Sequence, residues 1–461
     1  MKKLERLLAF GLGMYVALLP WQTRIILAQP KLGSQPIEYG TLSLYATDVI
    51  LLAVAYGTLF LRTRRCGPKN LWTAILALLV IIGCSAIFAN RSEVVIYSVR
   101  TLLIAIILWW LVQQPWVHLR FLLACFLGGA MLQALFGIGQ FIAQSSLVSS
   151  WLGLASHDPA SAGTAVVEAG GMRLLRAYGS LPHPNILGGY LAVALLVAFG
   201  FYLRVYDDVR HGFATWTREN VRRHVEGRRW YARQAWRIVG ILAVLTILTV
   251  GLLLTFSRSA WLGFGAGWFV MFFSLLVLKW QWGWQLWAKW TFFLGVVATF
   301  VVLAVPSAFT ARTTVEGRLE EQSISARQQL FTDAYDLLKL EPLRGVGYGN
   351  MVVAVYDRLS RARPNVFDYQ PVHNTYLLST VELGVIGGLV FLTLLLIALR
   401  TSLVSLFQQR NWVAVTSLAT VCCLLVIGLF DHYLWTLPAG AGLLWLVLGV
   451  GSRGGEAESH N

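Results

Sequence analysis

Charge is what this sequence has least of. Only 13% of its 461 residues are Asp, Glu, Lys or Arg, and mean hydropathy is +0.64. A soluble globule of this size carries about 25% charged residues, so a soluble fold is excluded. Cysteine is also scarce. Cys66, Cys84, Cys125, Cys422 and Cys423 show no metal-ligand spacing, and only Cys66 clearly falls in a loop. Neither a disulfide nor a zinc site is expected. No Asp-x-Asp pair occurs in an outer loop, which argues against a metal-dependent glycosyl transferase. No H-E-x-x-H or G-x-S-x-G motif is present, which argues against a protease or an esterase.

What the chain has instead is apolar runs near 20 residues long, the length that crosses a bilayer as a helix. They are too long for barrel strands and lack strict alternation. The reading is an all-α polytopic membrane protein, one membrane domain over 1–461, with about twelve spans. These lie near 7–27, 41–61, 71–89, 94–112, 119–142, 184–203, 238–256, 259–278, 290–306, 373–399, 412–430 and 434–451. Met1 to Pro20 has the basic start and apolar centre of a signal peptide, but the many spans that follow favour an uncleaved first helix.

The net charge of +15 is spread over short loops, so it reads as orientation rather than nucleic-acid binding. With the N-terminus inside, the cytoplasmic pieces hold 22 Lys and Arg, and the short outer loops hold 6. Both termini are then expected in the cytoplasm of a bacterial inner membrane, with the 307–372 loop outside. A basic cytoplasmic loop at 204–237 reads as a topological anchor, with contact to anionic membrane lipids as the other possibility. Trp280, Trp282, Trp284, Trp287 and Trp290 read as an interfacial belt rather than a ligand cage.

The outer loop is expected to be ordered. Ser325-Ala326-Arg327-Gln328 fits a capping box opening a helix that runs to Leu340, where Pro342 and Gly345 stop it. A second amphipathic stretch runs from Met351 to Leu359. Two such helices would form a lid over the bundle.

The loop also holds eight basic residues, Arg312, Arg318, Arg327, Lys339, Arg344, Arg358, Arg361 and Arg363, and ends at His373-Asn374-Thr375-Tyr376. His373, in the first turn of a span, is either a proton acceptor or an amphipathic anchor at the interface. Arg327, second in the capped helix, either recognises an anion or pairs with Glu320 or Glu321. Arg258 interrupts an apolar hairpin, where a charge either faces a polar cavity or snorkels to headgroups. Arg176 to Asn185 is either a functional segment or a structural turn before the sixth span. Gly345-Val346-Gly347-Tyr348-Gly349 follows a helix rather than a strand, so it is not a nucleotide fingerprint.

Four pieces taken in order resemble the O-antigen ligase and O-antigen polymerase superfamily (Wzy-C type). They are Arg176 to Asn185; Phe256-Ser257-Arg258; Ala326-Arg327 through Pro342-Leu343-Arg344-Gly345-Val346-Gly347; and His373-Asn374-Thr375-Tyr376-Leu377 with Glu382-Leu383-Gly384. The resemblance spans about 176–390, and Asp431-His432-Tyr433-Leu434-Trp435 also looks typical of the family's penultimate turn. Ser259 departs from the pattern, where glycine is common.

The resemblance implies a GT-C-like, metal-independent, inverting glycosyltransferase without cofactor. Its donor would be a glycan on undecaprenyl diphosphate. The implied catalytic residues are Arg258, Arg327 and His373, with Arg176, Asn185, Arg344, Asn374 and Tyr376 in substrate binding. The acceptor stays open among lipid A core, a growing glycan and a protein hydroxyl. A transporter of lipid-linked sugar is the alternative of another class. It would place charges deep in several spans, and the spans here are nearly free of mid-depth charge apart from Arg100 and Glu382. A non-catalytic envelope scaffold would leave the arginine–histidine set unexplained.

Overall fold

The structure is a computed structural model. It describes residues 2–62, 64–219, 224–314, 318–359 and 361–453, without the side chains of 211–231, 319 and 320. It is 71% helix. Eight helices are long and apolar enough to cross a membrane among the described residues. They are α3 (Lys69–Phe88), α4 (Ser92–Val112), α5 (Leu119–Ala143), α6 (Pro184–Glu219), α7 (His224–Leu254), α8 (Arg258–Val277), α9 (Gln281–Ala304) and α13 (Thr375–Gln409). In α6 and α7 the spanning portions are Pro184–Arg210 and Ala232–Leu254. The other predicted spans fall on shorter helices: α1 (Lys2–Leu18), α2 (Ala46–Thr58), α14 (Trp412–Gly428) and α16 (Pro438–Ser452). Outside them lie α10 (Pro306–Thr314), α11 (Arg318–Leu340), α12 (Met351–Leu359) and α15 (Tyr433–Thr436).

Several boundaries differ from the sequence reading. The first span stops at Leu18, before Pro20, and residues assigned to it form the strand β1 (Arg24–Ala28). β1 pairs antiparallel with β4 (Leu42–Tyr45), around a small hairpin of β2 (Lys31–Leu32) and β3 (Gln35–Pro36). β5 (Val166–Ala169) and β6 (Met172–Leu175) make a third ribbon. Among the described residues the fold is therefore helical with three two-stranded antiparallel ribbons. Much of the supposed loop at 204–237 is helix, because α6 and α7 both run on past the apolar run. The arginine side chains of 211–231 lie outside the described residues.

α11 also starts earlier than expected, at Arg318. Ser325 is therefore inside a helix, its hydroxyl donating to the Gln322 carbonyl 3.0 Å away, and it caps nothing. Residues 318–322, Arg-Leu-Glu-Glu-Gln, are all good helix formers, and they carry the helix back past the serine. Arg327 thus sits mid-helix, and the helix-terminus argument for it falls.

α6 is the axis of the bundle: 94% of its apolar window is buried. Its entry is pressed against the α7–α8 turn. A Cβ on Gly188 would lie 2.9 Å from Ser257 Cβ and 2.8 Å from Ala260 Cβ, so only glycine lets these elements approach.

α13 is kinked at Gly384, whose φ of 73° lies outside the helical region. The chain at 342–347 crosses at this kink. Val346 and Gly347 N–H donate to the carbonyls of Val381 and Glu382, and Val385 N–H to that of Pro342, at 2.8–3.0 Å. The glycines of this segment, and the buried Glu382 that accepts from Trp435 Nε1 at 2.8 Å, belong to the crossing. Beyond it, α12 buries Met351 to Val355, and α11 buries Leu330, Ala334 and Leu337 on one edge against α12 and α13.

Candidate active site

The site forms where four chain turns meet: the entry to α6, the α7–α8 turn, the entry to α13 and the α14–α15 turn. Ser257 caps α8, its Oγ accepting from Ala260 N–H, so Arg258 is the first helical residue. An anion is favoured at such a terminus, where backbone N–H groups lack helical partners. Arg258 Nη1 donates to the Arg312 carbonyl at 3.5 Å. Buried Arg312, on α10, donates from Nε to the Phe256 carbonyl at 2.9 Å. Phe256 adopts φ of 48°, which turns its carbonyl out of the α7 hydrogen-bond register. Phe309 packs on Phe256 and Trp261 and holds α10 over the turn.

Arg176 reaches the same turn from the other side. It is 5% exposed, donating from Nε to the Thr255 carbonyl and from Nη2 to Asn185 Oδ1, both at 2.7 Å. Asn185 Nδ2 donates onward to Asp431 Oδ2 at 2.9 Å. Asp431, 3% exposed, also accepts from the His432 N–H at 3.0 Å. Thr375 Oγ1 donates to the Asp431 carbonyl at 2.8 Å, which ties the entry of α13 to this turn. His373 is two residues upstream. Its ring stands edge-on to that of His432, with centroids 5.0 Å apart. Candidate ligand atoms of His373, Asp431 and His432 all lie within 4.8 Å of one another.

Burial lowers the His373 pKa below the ordinary imidazole value; the Asp431 carboxylate pulls it up and the Arg327 charge pushes it down. Arg327 therefore acts on this histidine through space from α11. Burial drives His432 and His183 lower still, to about 3. For Asp431, burial acts upward, but the three surrounding imidazoles outweigh it and leave the carboxyl below its usual range. A neutral His373 beside an ionised carboxylate can accept a proton.

The structure thus brings together Arg176, Asn185, Arg258 and His373, with Arg327 within electrostatic reach. The remaining candidates have structural partners. Arg344 is exposed and lies over the Phe88 ring at 5.0 Å. Asn374 caps α13, accepting from Leu377 N–H at 2.9 Å and donating to the Leu429 carbonyl at 3.1 Å. Tyr376 Oη donates to the Leu425 carbonyl at 2.7 Å. These two fasten the α13 entry to α14, which holds His373 in place.

Most of the loop's basic residues are also structural. Arg361 and Arg363 both bind Asp333, and Arg361 also binds Asp336 at 2.6 Å. Arg358 reaches Glu341 at 3.5 Å, and Arg318 reaches Glu168 at 3.0 Å.

Residues 241–392 match the family model described as O-Antigen ligase. The match supports the O-antigen ligase and polymerase superfamily that the motifs resemble. It takes in Arg258, Arg312, Arg327 and His373, while Arg176, Asn185, Asp431 and His432 lie outside it and join the site by geometry. No curated protein matches the chain. Sequence reasoning left three contributors without a role. Arg312 was one of a crowd of charges. Asp431 and His432 were seen as a typical turn, but 58 residues separate Asp431 from His373, and only the pairing of α13 with α14 closes that gap.

Proposed function

We propose that this protein transfers a glycan from undecaprenyl diphosphate to an acceptor hydroxyl at the outer face of the bacterial cytoplasmic membrane, inverting the anomeric centre without a metal ion. The observation that carries this reading is the convergence of Arg176, Arg258 and Arg312 on one capped helix terminus, joined through Asn185 and Asp431 to a neutral histidine. The family match supports glycosyl transfer of the O-antigen ligase type in general terms.

The chemistry follows from the parts. The diphosphate binds at the α8 terminus, where Arg258 and Arg312 offer forked donors and Arg327 adds positive potential. These guanidiniums stabilise the charge that grows as the bond between the anomeric carbon and the diphosphate oxygen breaks. The acceptor oxygen attacks from the opposite face, and its proton goes to His373. Asp431 stabilises the resulting imidazolium. The products are the glycosylated acceptor and undecaprenyl diphosphate, and His373 then returns its proton to water.

Transport is the less supported class. Of the two charges noted within spans, Arg100 pairs with Asp48, and Glu382 accepts from Trp435. Both serve packing.

Reconstitution with an undecaprenyl-diphosphate glycan and three acceptors tests the reading. Lipid A core, a free glycan chain and a hydroxyl-bearing protein separate ligase, polymerase and protein O-glycosyltransferase. Movement of the lipid-linked glycan across vesicles without a new glycosidic bond would replace transfer by transport. Orientation is tested in the same preparation. An impermeant maleimide should label Ser325→Cys in intact spheroplasts and spare the exposed native Cys66. The reverse pattern would put the arginines on the wrong side for such a donor.

A further inference from the structure

We infer that His373, Asp431 and His432 form a zinc site, and that zinc bound there blocks the transferase. The inference rests on the functional reading above only in its second half.

The donor set is two imidazoles and one carboxylate, with ligand atoms within 4.8 Å of one another. Zinc takes such ligands at about 2.0–2.1 Å, which sets tetrahedral ligand–ligand separations near 3.3 Å. The widest gap must therefore close by about 1.5 Å. A rotation of His373, which is only partly buried and precedes the helix, would have to supply this.

The hydrogen bonds show which lone pairs are available. Thr436 Oγ1 lies 2.9 Å from His432 Nδ1 and 3.3 Å from the His432 carbonyl. With the hydroxyl donating to the carbonyl and accepting from Nδ1–H, the His432 Nε2 lone pair is left as a ligand, oriented by a neighbour as zinc-bound histidines are. The Pro371 carbonyl accepts from the His373 ring, so one ring nitrogen carries the proton and the other keeps its lone pair. Asp431 uses one acceptor direction on each oxygen and keeps the others. His183 is no fourth ligand through Nδ1, which accepts from Asn185 N–H at 3.1 Å. A water would fill the open position.

The site selects among metals. Magnesium prefers oxygen ligands and an octahedral shell, which this cluster does not offer. The nearby guanidiniums oppose any cation held by charge alone, so a metal bound through imidazole lone pairs is favoured. Zinc on the His373 lone pair would remove the group that takes the acceptor proton. The cysteine spacings gave no hint of the site, because its ligands come from the starts of two different helices.

The test uses the full chain in lipid nanodiscs. Equilibrium dialysis against Zn²⁺ alone should give one ion per chain, and dialysis against Mg²⁺ alone should give none in stoichiometric amount. Co²⁺ should produce the intense visible bands of a tetrahedral site. His432→Gln and Asp431→Asn should each weaken Zn²⁺ binding by at least about tenfold, while His118→Gln, at the start of α5, should not. No stoichiometric zinc, or zinc binding unchanged in both site variants, overturns the site. Added Zn²⁺ should also slow glycan transfer, with EDTA restoring it. Zinc that binds at this site without slowing transfer leaves the site standing and removes His373 as proton acceptor instead.

Discussion

Two groups of arginines lie at and beside the candidate site, and their contacts differ. Arg176, Arg258 and Arg312 hydrogen-bond to backbone carbonyls at the α7–α8 and α10 turns, and Arg176 also to an amide. Arg361, Arg363 and Arg358 bind carboxylates. We propose that the first group, set around the α8 terminus, meets the incoming anion; the second fastens α11 to α12 and to the segment after it. Counting basic residues along the chain cannot tell them apart, and each prediction below tests the division.

The largest effect belongs to His373. His373→Ala should slow transfer by about 10²–10⁴-fold, the usual worth of general-base assistance. Donor binding should largely persist, since the base acts on the acceptor. If the variant loses donor affinity as severely as the arginine variants do, His373 belongs to the diphosphate site.

Next come the arginines bound to carbonyls. Lysine keeps the charge but loses the planar fork. Arg258→Lys and Arg312→Lys should each lose about 10²–10³ in turnover while the proteins still insert and fold. Arg363→Lys should not behave this way; a comparable loss there would erase the distinction.

The pH profile sharpens the same point. Because burial lowers the His373 pKa, the base is neutral at pH 7. Turnover should be flat near neutrality and fall on acidification, with its limb below the ordinary imidazole value of about 6.5. Asp431 raises that pKa, so in Asp431→Asn the limb should move further toward acid. A limb above 6.5, or one that stays put in the variant, would mean another group titrates.

How much of this was legible beforehand follows from the kind of physics involved. Apolar runs of this length announce membrane helices, because a single segment satisfies its own backbone in lipid as a helix, and each expected span falls at least partly on a helix. Local signals did worse. The serine–glutamine spacing at Ser325 suggested a cap, but the preceding residues favour helix strongly enough to carry α11 through it. The short ribbon of β1 and β4 was hidden within the ends of apolar runs. Within the site, Arg258 and His373 could be singled out because a charge in an apolar hairpin and a histidine at a helix entry are each unusual. Arg312 looked like any other loop arginine, and the partnership of Asp431 with His373 exists only once α13 and α14 lie side by side.

The carboxylate-bound group should show its effect in stability. Asp333 is fully buried beneath both Arg361 and Arg363. Removing one partner of a buried pair costs roughly 3–5 kcal/mol. Arg361 is a third exposed, so water screens part of that, and about 1–3 kcal/mol is expected for Asp333→Asn. Thermal unfolding in nanodiscs should show a lower midpoint, with transfer at permissive temperature little changed. A large loss of turnover at full stability would place Asp333 in the chemistry.

The smallest effect is expected at a residue that the motif resemblance made a substrate-binding candidate. Tyr376 Oη donates to the Leu425 carbonyl, one helix over, and that bond is what the hydroxyl contributes. Tyr376→Phe removes the donor and keeps the ring against Gly428, where its atoms would lie 3.4–3.5 Å from an added Cβ. The cost should be one ordinary hydrogen bond, about 0.5–1.5 kcal/mol. Turnover and both substrate affinities should stay near those of the unmodified protein, because His373 remains held by the Asn374 cap and by Thr375 on the Asp431 carbonyl. A selective rise in the KM for the acceptor, without loss of stability, would return Tyr376 to the substrate. The line between fastening and binding residues would then pass on the other side of the α13 entry.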